Sequence, residues 1–418
     1  MTRITGTFRT TVFREEKVRA FLPHPLPPKK PLLRIEGELA QLHSDTLAAL
    51  GRLAIAGTMV PSPNWFLYGF VRKEAVLSSQ IEGTQATLED VVVYEATRQA
   101  GRPADVQEVC NYVDALSWAR TELQRSGGLP LCSRLLCMAH GRLMQGVRGA
   151  EKQPGTIRTS QNWIGGSRPG NARFVPPPPD AVPDALAALE RWIHGKDPLP
   201  PLVRAGLAHV QFETIHPFLD GNGRIGRLLV TLLVEHWGLL SSPLLYLSLA
   251  FKRHRQEYYR RLMEVCTGGD WEGWTAFFLR CVHEAAEDGV ETARRLFSLL
   301  GRDRQAVVQH KAATLPAVRL LDLLPEHPMI SLAAAIDLLG TTKPTAAKAI
   351  DALAQAGIIE EITGKRRDRV YAYRAYLNVL AEDMRGTPDN LVEDRQTFAG
   401  ALDTVHKRFG RAMKRLSE

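Results

Sequence analysis

Residues 216–227, HPFLDGNGRIGR, decide how the rest of the chain is read. They contain a G-x-G-x-x-G at Gly221, Gly223 and Gly226, which marks a dinucleotide-binding turn only when a strand precedes it in a βαβ unit. Here residues 203–215, VRAGLAHVQFETI, have helical spacing instead, and His216-Pro217 ends that helix because the residue before a proline is pushed out of the α region. The apolar run LLVTLLVEHW that follows suits a buried helix, so the motif is a loop between two helices. Gly and Asn tolerate left-handed backbone angles, and successive N–H groups in such a loop converge on an anion at the next helix's N-terminus. Arg224 and Arg227 share the first turn of that helix, where the macrodipole disfavours each cation by about 0.3–1 kcal/mol, so a negative partner is expected. Two guanidiniums beside such a loop suit a polyphosphate. Asp220 is the oxygen ligand that Mg²⁺ takes when phosphates supply its remaining contacts. His216, neutral near pH 7, is placed to take a proton from a hydroxyl attacking the phosphate. Zinc held by His209, His216 and Asp220 also fits the helical spacing, but no H-E-x-x-H or cysteine ligand supports it.

At 418 residues the chain has room for two or three domains and a sizeable core. Its net charge of +8 is spread along the sequence, and does not choose between nucleic acid, acidic partners and nucleotide phosphates. Five cysteines, odd in number and without a C-x-x-C, predict a reducing compartment and no structural disulfide. The N-terminus has no apolar stretch of signal-peptide length and no window reaches the roughly 18 apolar residues of a membrane span, so a cytoplasmic location off the membrane is expected.

The first thirty residues end in the proline-rich LPHPLPPKKP, read as an extended segment after which regular structure begins. Helical spacing covers about 33–56, then NWFLYGFVRKEAVLSSQIEG up to Gly83, then about 87–99, 105–125, 130–145, 183–195 and 201–215, with a long helix over about 272–300. Residues 156–179 combine two short extended runs with a Gly-Gly-Ser-Arg-Pro-Gly-Asn turn, which predicts a hairpin. The last quarter, SLAAAIDLLG, TTKPTAAKAIDALAQAG and IIEEITGKRRDRVYAYR, reads as a winged helix-turn-helix. Thr341 or Thr342 caps its second helix, Pro344 sits just inside, Gly357 ends it, and Thr363-Gly364 turns between two strands.

Residues 216–227 match H-x-F-x-D/E-G-N-G-R-x-x-R at every fixed position, and the chain thereby resembles the Fic (filamentation induced by cAMP) family. The resemblance implies a mainly α fold, a helical core with a small β-hairpin flap at 156–179, and Mg²⁺-dependent transfer of AMP from ATP to a Ser, Thr or Tyr hydroxyl of a target protein. Carried over, His216 is the base, Asp220 the Mg²⁺ ligand, and Gly221, Asn222 and Gly223 the anion hole. Arg224 and Arg227 hold the β- and γ-phosphates, with Ile225 and Gly226 in the same phosphate-binding turn. Tyr246, Tyr258 and Tyr259 lie in a stretch similar to the family's segment after the core helix, and Tyr258 is expected at the nucleotide.

A second motif lies upstream. Ser78-Ser79-Gln80-Ile81-Glu82-Gly83 matches the family's inhibitory pattern S/T-x-x-x-E-G/N. Ser78 and Glu82 share a helix face, Gly83 lets the helix stop, and Glu82 projects past its end. A carboxylate reaching Arg227 forms a forked ion pair and occupies the guanidinium that a γ-phosphate needs. By resemblance, Glu82 also assists removal of AMP from a modified target.

The expected organisation is a regulatory region over 1–111, the Fic core over 112–295, a winged helix-turn-helix over 310–375 and an amphipathic helical tail over 376–418. The wing, 364–369, is basic, yet Lys343 and Lys348 are nearly alone on the second helix, so recognition of protein, or a homodimer, is expected ahead of DNA. Two other classes stay open. One is a DNA-binding transcriptional regulator with a nucleotide-sensing core; the other is a transferase of another nucleotide or phosphate-containing group, because the loop reads phosphates and not the base.

Overall fold

The computed structural model describes residues 3–13, 16–58, 64–98 and 103–384. Regular structure begins earlier than the sequence suggests: β1 (Gly6–Phe13) pairs antiparallel with β2 (Glu16–Pro23), ahead of the proline run. The cause is an alternation in β2, where Val18 and Ala20 are buried against Val175 while Lys17 and Arg19 face solvent. The hairpin leans on 156–179, and Phe21 N–H donates to the Val175 carbonyl at 2.9 Å.

Residues 156–179 themselves form less sheet than expected, with one antiparallel bridge between Ile164 and Phe174 around a short 3₁₀ turn at Pro169–Asn171. Pro169 and the four prolines 176–179 have no N–H to donate to a ladder, and Asn171 Oδ1 closes the loop by accepting from the N–H groups of Ser167 and Arg168.

The body is helical. In order come α1 (Gly37–Thr58), α2 (Asn64–Ile81), α3 (Leu88–Thr97), α4 (Pro103–Gln124), α5 (Ser133–Leu143), α6 (Val182–His194), α7 (Pro201–Ile215), α8 (Asn222–His236), α9 (Ser248–Arg253), α10 (Arg255–Gly268) and α11 (Trp271–Gln309). The central helix is α7, buried on almost every side, with its buried Arg204, His209 and Thr214 hydrogen-bonded. Packed on it are α8, α6, α10 and α11, while α1 lies along α11. The last of these outruns the expected 272–300, because Leu296, Leu299, Leu300, Asp303 and Val307 carry its buried stripe past Gly301. The boundary expected at 111/112 falls inside α4, where Asn111 and Tyr112 are both buried, so the N-terminal region and the core share one helix.

Beyond α11 follow α12 (Leu315–Leu323), β3 (Met329–Ser331), α13 (Leu332–Leu339), α14 (Lys343–Gln355), β4 (Glu360–Glu361), β5 (Val370–Ala372) and α15 (Arg374–Ala381). Their strands form a sheet of order β3-β5-β4. Thr342 is the N-cap of α14, but its hydroxyl meets the Thr345 hydroxyl at 3.0 Å and not a backbone N–H. The closing helix α15 returns onto α2. Tyr376 donates to the Trp65 carbonyl at 2.8 Å, Leu380 packs where a Cβ at Gly69 would stand 2.7 Å away, and buried Lys73 reaches Asp383 Oδ1 at 2.5 Å. The expected tail, 376–418, lies outside the described residues from 385 onward. Among the described residues no helix is long and apolar enough to cross a membrane, and the five cysteines are free.

Candidate active site

Between α7 and α8 the chain turns through His216, whose backbone is left-handed (φ 50°, ψ 61°) while its N–H still donates to the Phe212 carbonyl at 2.9 Å. Asn222 clamps the turn from inside. Its Oδ1 accepts from Phe218 N–H and its Nδ2 donates to the Phe218 carbonyl, both at 2.8 Å. The side chain expected in an anion hole thus serves to close the loop, leaving backbone N–H groups to face a ligand. Gly221, at φ 74°, caps α8. From α5, His140 stacks flat on Phe218 with ring centroids 3.8 Å apart. Its Nδ1 accepts from Gly155 N–H at 2.9 Å, which leaves Nε2–H to donate to the Asp220 carbonyl at 3.0 Å.

His216 Nδ1–H donates to the Glu213 carbonyl at 3.3 Å, so the lone pair is on Nε2. Burial, reinforced by the charge of Arg158, lowers the imidazole to about 4, and it is neutral at physiological pH. Burial works to raise the Asp220 carboxyl, but hydrogen bonds from Lys152 and from Gly221 N–H outweigh it and hold the group below its ordinary range. Lys152 Nζ stands 2.8 Å from Asp220 Oδ2.

Both arginines find the acids their position calls for. Arg224 is buried and donates to Glu108 Oε2, on α4, at 2.9 Å. Arg227 meets α2: Nε donates to Ser78 Oγ at 2.8 Å, and one NH2 donates to the Ser78 carbonyl at 2.9 Å and to Glu82 Oε1 at 2.8 Å. The two motifs, 145 residues apart, are therefore in contact, but not through a forked pair. The guanidinium is shared between Ser78 and Glu82, because α2 brings both residues to one side of it. Glu82 approaches so closely that a Cβ at Gly223 would overlap its Oε1.

The remaining expected residues are placed differently. Ile225 points into the core, and its N–H is spent on the Gly221 carbonyl at 3.1 Å. Tyr258 is buried against Phe251 and donates to His209 Nε2 at 2.8 Å, while His209 Nδ1–H donates to the Gly226 carbonyl at 3.0 Å. Tyr246 is likewise internal, edge-on to Phe70 of α2. Both nitrogens of His209 are thus occupied, and among the described residues no group of three or more His, Cys, Asp or Glu could hold a metal ion. Glu213, one turn before His216, lies against Gly226, where a Cβ would overlap its Oε1; that oxygen has no hydrogen-bond partner, and burial pushes the carboxyl up to about 8.

Sequence reasoning missed Glu108, His140, Lys152 and Arg158. Only Glu108 left a trace, as an acid between Val106, Val109 and Tyr112 on the buried face of α4.

A mainly helical body that presents this histidine-headed Gly-Asn-Gly loop between two buried helices defines a Fic-type fold. Residues 40–121 match the Fic/DOC family N-terminal model and residues 130–234 match the Fic/DOC family model. It is 36% identical over 97 residues to a probable protein adenylyltransferase of Aquifex aeolicus (strain VF5), covering 23% of this chain and 28% of that one. Over 141 residues it is 33% identical to protein adenylyltransferase fic-1 of Caenorhabditis elegans, 33% of this chain and 24% of the relative. With protein adenylyltransferase Fic of Drosophila erecta it shares 26% over 212 residues, 50% and 39% of the two chains. The matched stretches thus span well under half of these relatives. A crystal structure of a Fic family protein from Desulfovibrio desulfuricans G20 superposes with a TM-score of 0.54 at 23% identity, covering 82% of this chain and 98% of that one, which establishes the shared fold.

Proposed function

We propose that the chain is a protein adenylyltransferase that moves AMP from ATP to a Ser, Thr or Tyr hydroxyl of another protein. The observation that carries this reading is an uncharged His216, with its lone pair on Nε2, and an ionised Asp220 at the two ends of one loop that opens a helix by its N-terminus. The hydroxyl oxygen attacks the α-phosphorus, its proton passes to His216 Nε2, and pyrophosphate leaves. The N–H groups of Asn222 and Gly223 and the guanidiniums of Arg224 and Arg227 face the phosphates, while Gly221 N–H stays on the Asp220 carboxylate. Asp220 suits Mg²⁺, since the ammonium of Lys152 already stands at Oδ2 and phosphate oxygens would complete the coordination. When bound, Mg²⁺ neutralises phosphate charge.

Glu82 and Ser78 restrain this activity by occupying Arg227, and removal of AMP from a modified target belongs to the same site. Residues 1–111 act as the regulatory region and 112–295 as the core. Residues 310–375 are read as a winged helix-turn-helix whose exposed 364–369 is basic, but α14 exposes only Lys343, Lys348, Asp351 and Gln355 beyond its first turn's Thr and Pro, which suits a protein partner better than base readout. Salt-dependent binding to a defined DNA sequence would favour the regulator reading instead.

The test incubates wild type, Glu82→Gly, His216→Ala and the double variant with each labelled nucleoside triphosphate and Mg²⁺, followed by mass spectrometry of the protein. Self-labelling from ATP by Glu82→Gly, absent in Glu82→Gly/His216→Ala, is expected. Labelling from another nucleotide alone would reassign the transferred group, and labelling from none would refute the reading.

A further inference from the structure

Arg158 is a cation that the proposed reaction leaves without a task. The residue is 1% exposed, and among the described residues it has no carboxylate partner. Its four side-chain hydrogen bonds all go to carbonyls: Nε to His216 at 2.8 Å, NH2 to Pro177 at 2.6 Å and to Ile215 at 3.4 Å, NH1 to Ser160 at 3.3 Å. Its backbone N–H donates to the Pro217 carbonyl at 2.9 Å. Withdrawing a guanidinium from water without a counter-charge is costly, and burial pulls this one down to about 10. The dipoles that offset the cost are informative. The Ile215 and His216 carbonyls are the C-terminal end of α7, where unsatisfied carbonyls carry the negative pole of the helix.

That pole has a consequence for the residue beside it. A helix C-terminus stabilises a protonated histidine, and His216 stands at one. Glu82 and Asp220, the acids that act on the imidazole, favour the charged form too, and Arg158 is the cation that opposes them. We propose that Arg158 is the resident cation of the α7 C-terminus, a positioning residue that excludes a second positive charge from His216, holds its left-handed turn and ties segment 156–179 to it. The fixed charge takes up the carbonyls that would otherwise reward protonation. The same guanidinium bridges the Pro177 carbonyl to the His216 carbonyl, so the segment and the turn keep one register.

The effect on catalysis rests on His216 being the base, whereas the effect on its proton does not. NMR titration of labelled histidine, assigned with His216→Gln, is therefore run on the full chain in wild type, Arg158→Lys, Arg158→Met and Arg158→Gln, the last in case Arg158→Met does not fold. The His216 titration should rise by on the order of one pH unit in the uncharged variants and stay low in Arg158→Lys. In the Glu82→Gly background the acid limb of the transfer rate should move up by the same amount, with kcat lowered and KM for ATP unchanged. An unchanged His216 titration in a folded uncharged variant would overturn the proposal. So would an equal rise in Arg158→Lys, which would trace the effect to lost packing. If Glu82→Gly transfers no nucleotide, the proposed function fails and the titration still decides the role of Arg158.

Discussion

Glu82→Gly removes one charge-assisted hydrogen bond, from Arg227 NH2 to Oε1 at 2.8 Å, and leaves both bonds to Ser78 in place. The Arg227 side chain is 2% exposed and that of Glu82 31%, so the pair lies between the buried and surface limits. A hydrogen bond to a charged group in such a setting contributes about 1.5–3 kcal/mol, more than the ~0–1 kcal/mol of an exposed pair. If Arg227 must leave Glu82 to meet a phosphate, lifting the constraint should raise the initial rate of AMP transfer roughly 10- to 100-fold, at about 1.4 kcal/mol per decade. Glu82→Gln keeps a neutral acceptor and should gain less. Ser78→Ala loses the Nε bond, a net of about 0.5–1.5 kcal/mol, and should raise the rate by about 2- to 10-fold. The assay is the rate of self-labelling from ATP and Mg²⁺ by mass spectrometry, at matched folded content by circular dichroism. A folded Glu82→Gly protein that transfers no faster than wild type would refute the reasoning.

Lys152→Ala frees Asp220 Oδ2 from its ammonium; the pair is partly exposed and worth about 0.2–1 kcal/mol, so half-saturating Mg²⁺ in the transfer assay should fall by up to about fivefold. Gly226→Ala places a methyl group on Glu213 Oε1 and should cost about 1–3 kcal/mol in denaturant unfolding, with Gly226→Ala/Glu213→Ser recovering most of it. Glu213 holds its proton up to about 8 in the folded protein, whereas the unfolded chain releases it near 4.5, so this group makes stability fall as pH rises between those values. Glu213→Gln should flatten that part of the pH dependence of the urea midpoint; an unchanged slope would show that the carboxyl is ionised in the fold.

Most long helices were legible from an apolar face, and α7 and α8 follow from a proline-terminated helical run and the apolar run after the loop, whereas α9, α10 and α12 were not read. The β1–β2 hairpin was not read, although Lys17-Val18-Arg19-Ala20 alternates, because a four-residue signal beside a proline cluster is weak and its burial depends on Val175, far along the chain. Within the loop the residue types pointed to their chemistry, and the need of Arg224 and Arg227 for negative partners was readable from their place in a first helical turn. Which acids answer was half readable. Glu82 carries a local motif, whereas Glu108, 116 residues upstream of Arg224, shows only as an acid on the buried face of α4, which does not name its partner. Lys152, His140 and Arg158 reach the loop from segments whose placement only tertiary packing decides. Tyr258, marked by analogy, donates to buried His209, a contact no local pattern announces.

Helix α2 is held at two points: Trp65, Gly69 and Lys73 seat α15 and the turn after it, while Ser78 and the Glu82 that follows its last turn grip Arg227. A fragment ending with α11 would keep the whole motif and the Glu82–Arg227 contact yet lose Tyr376, Leu380 and Asp383, stranding the Lys73 ammonium without that carboxylate in the interior. Its basal rate would describe the fragment and not the parent chain. Suppressors of the proposed Glu82 restraint are accordingly to be sought among residues 374–384, far from the Arg227 guanidinium, as well as around Arg227.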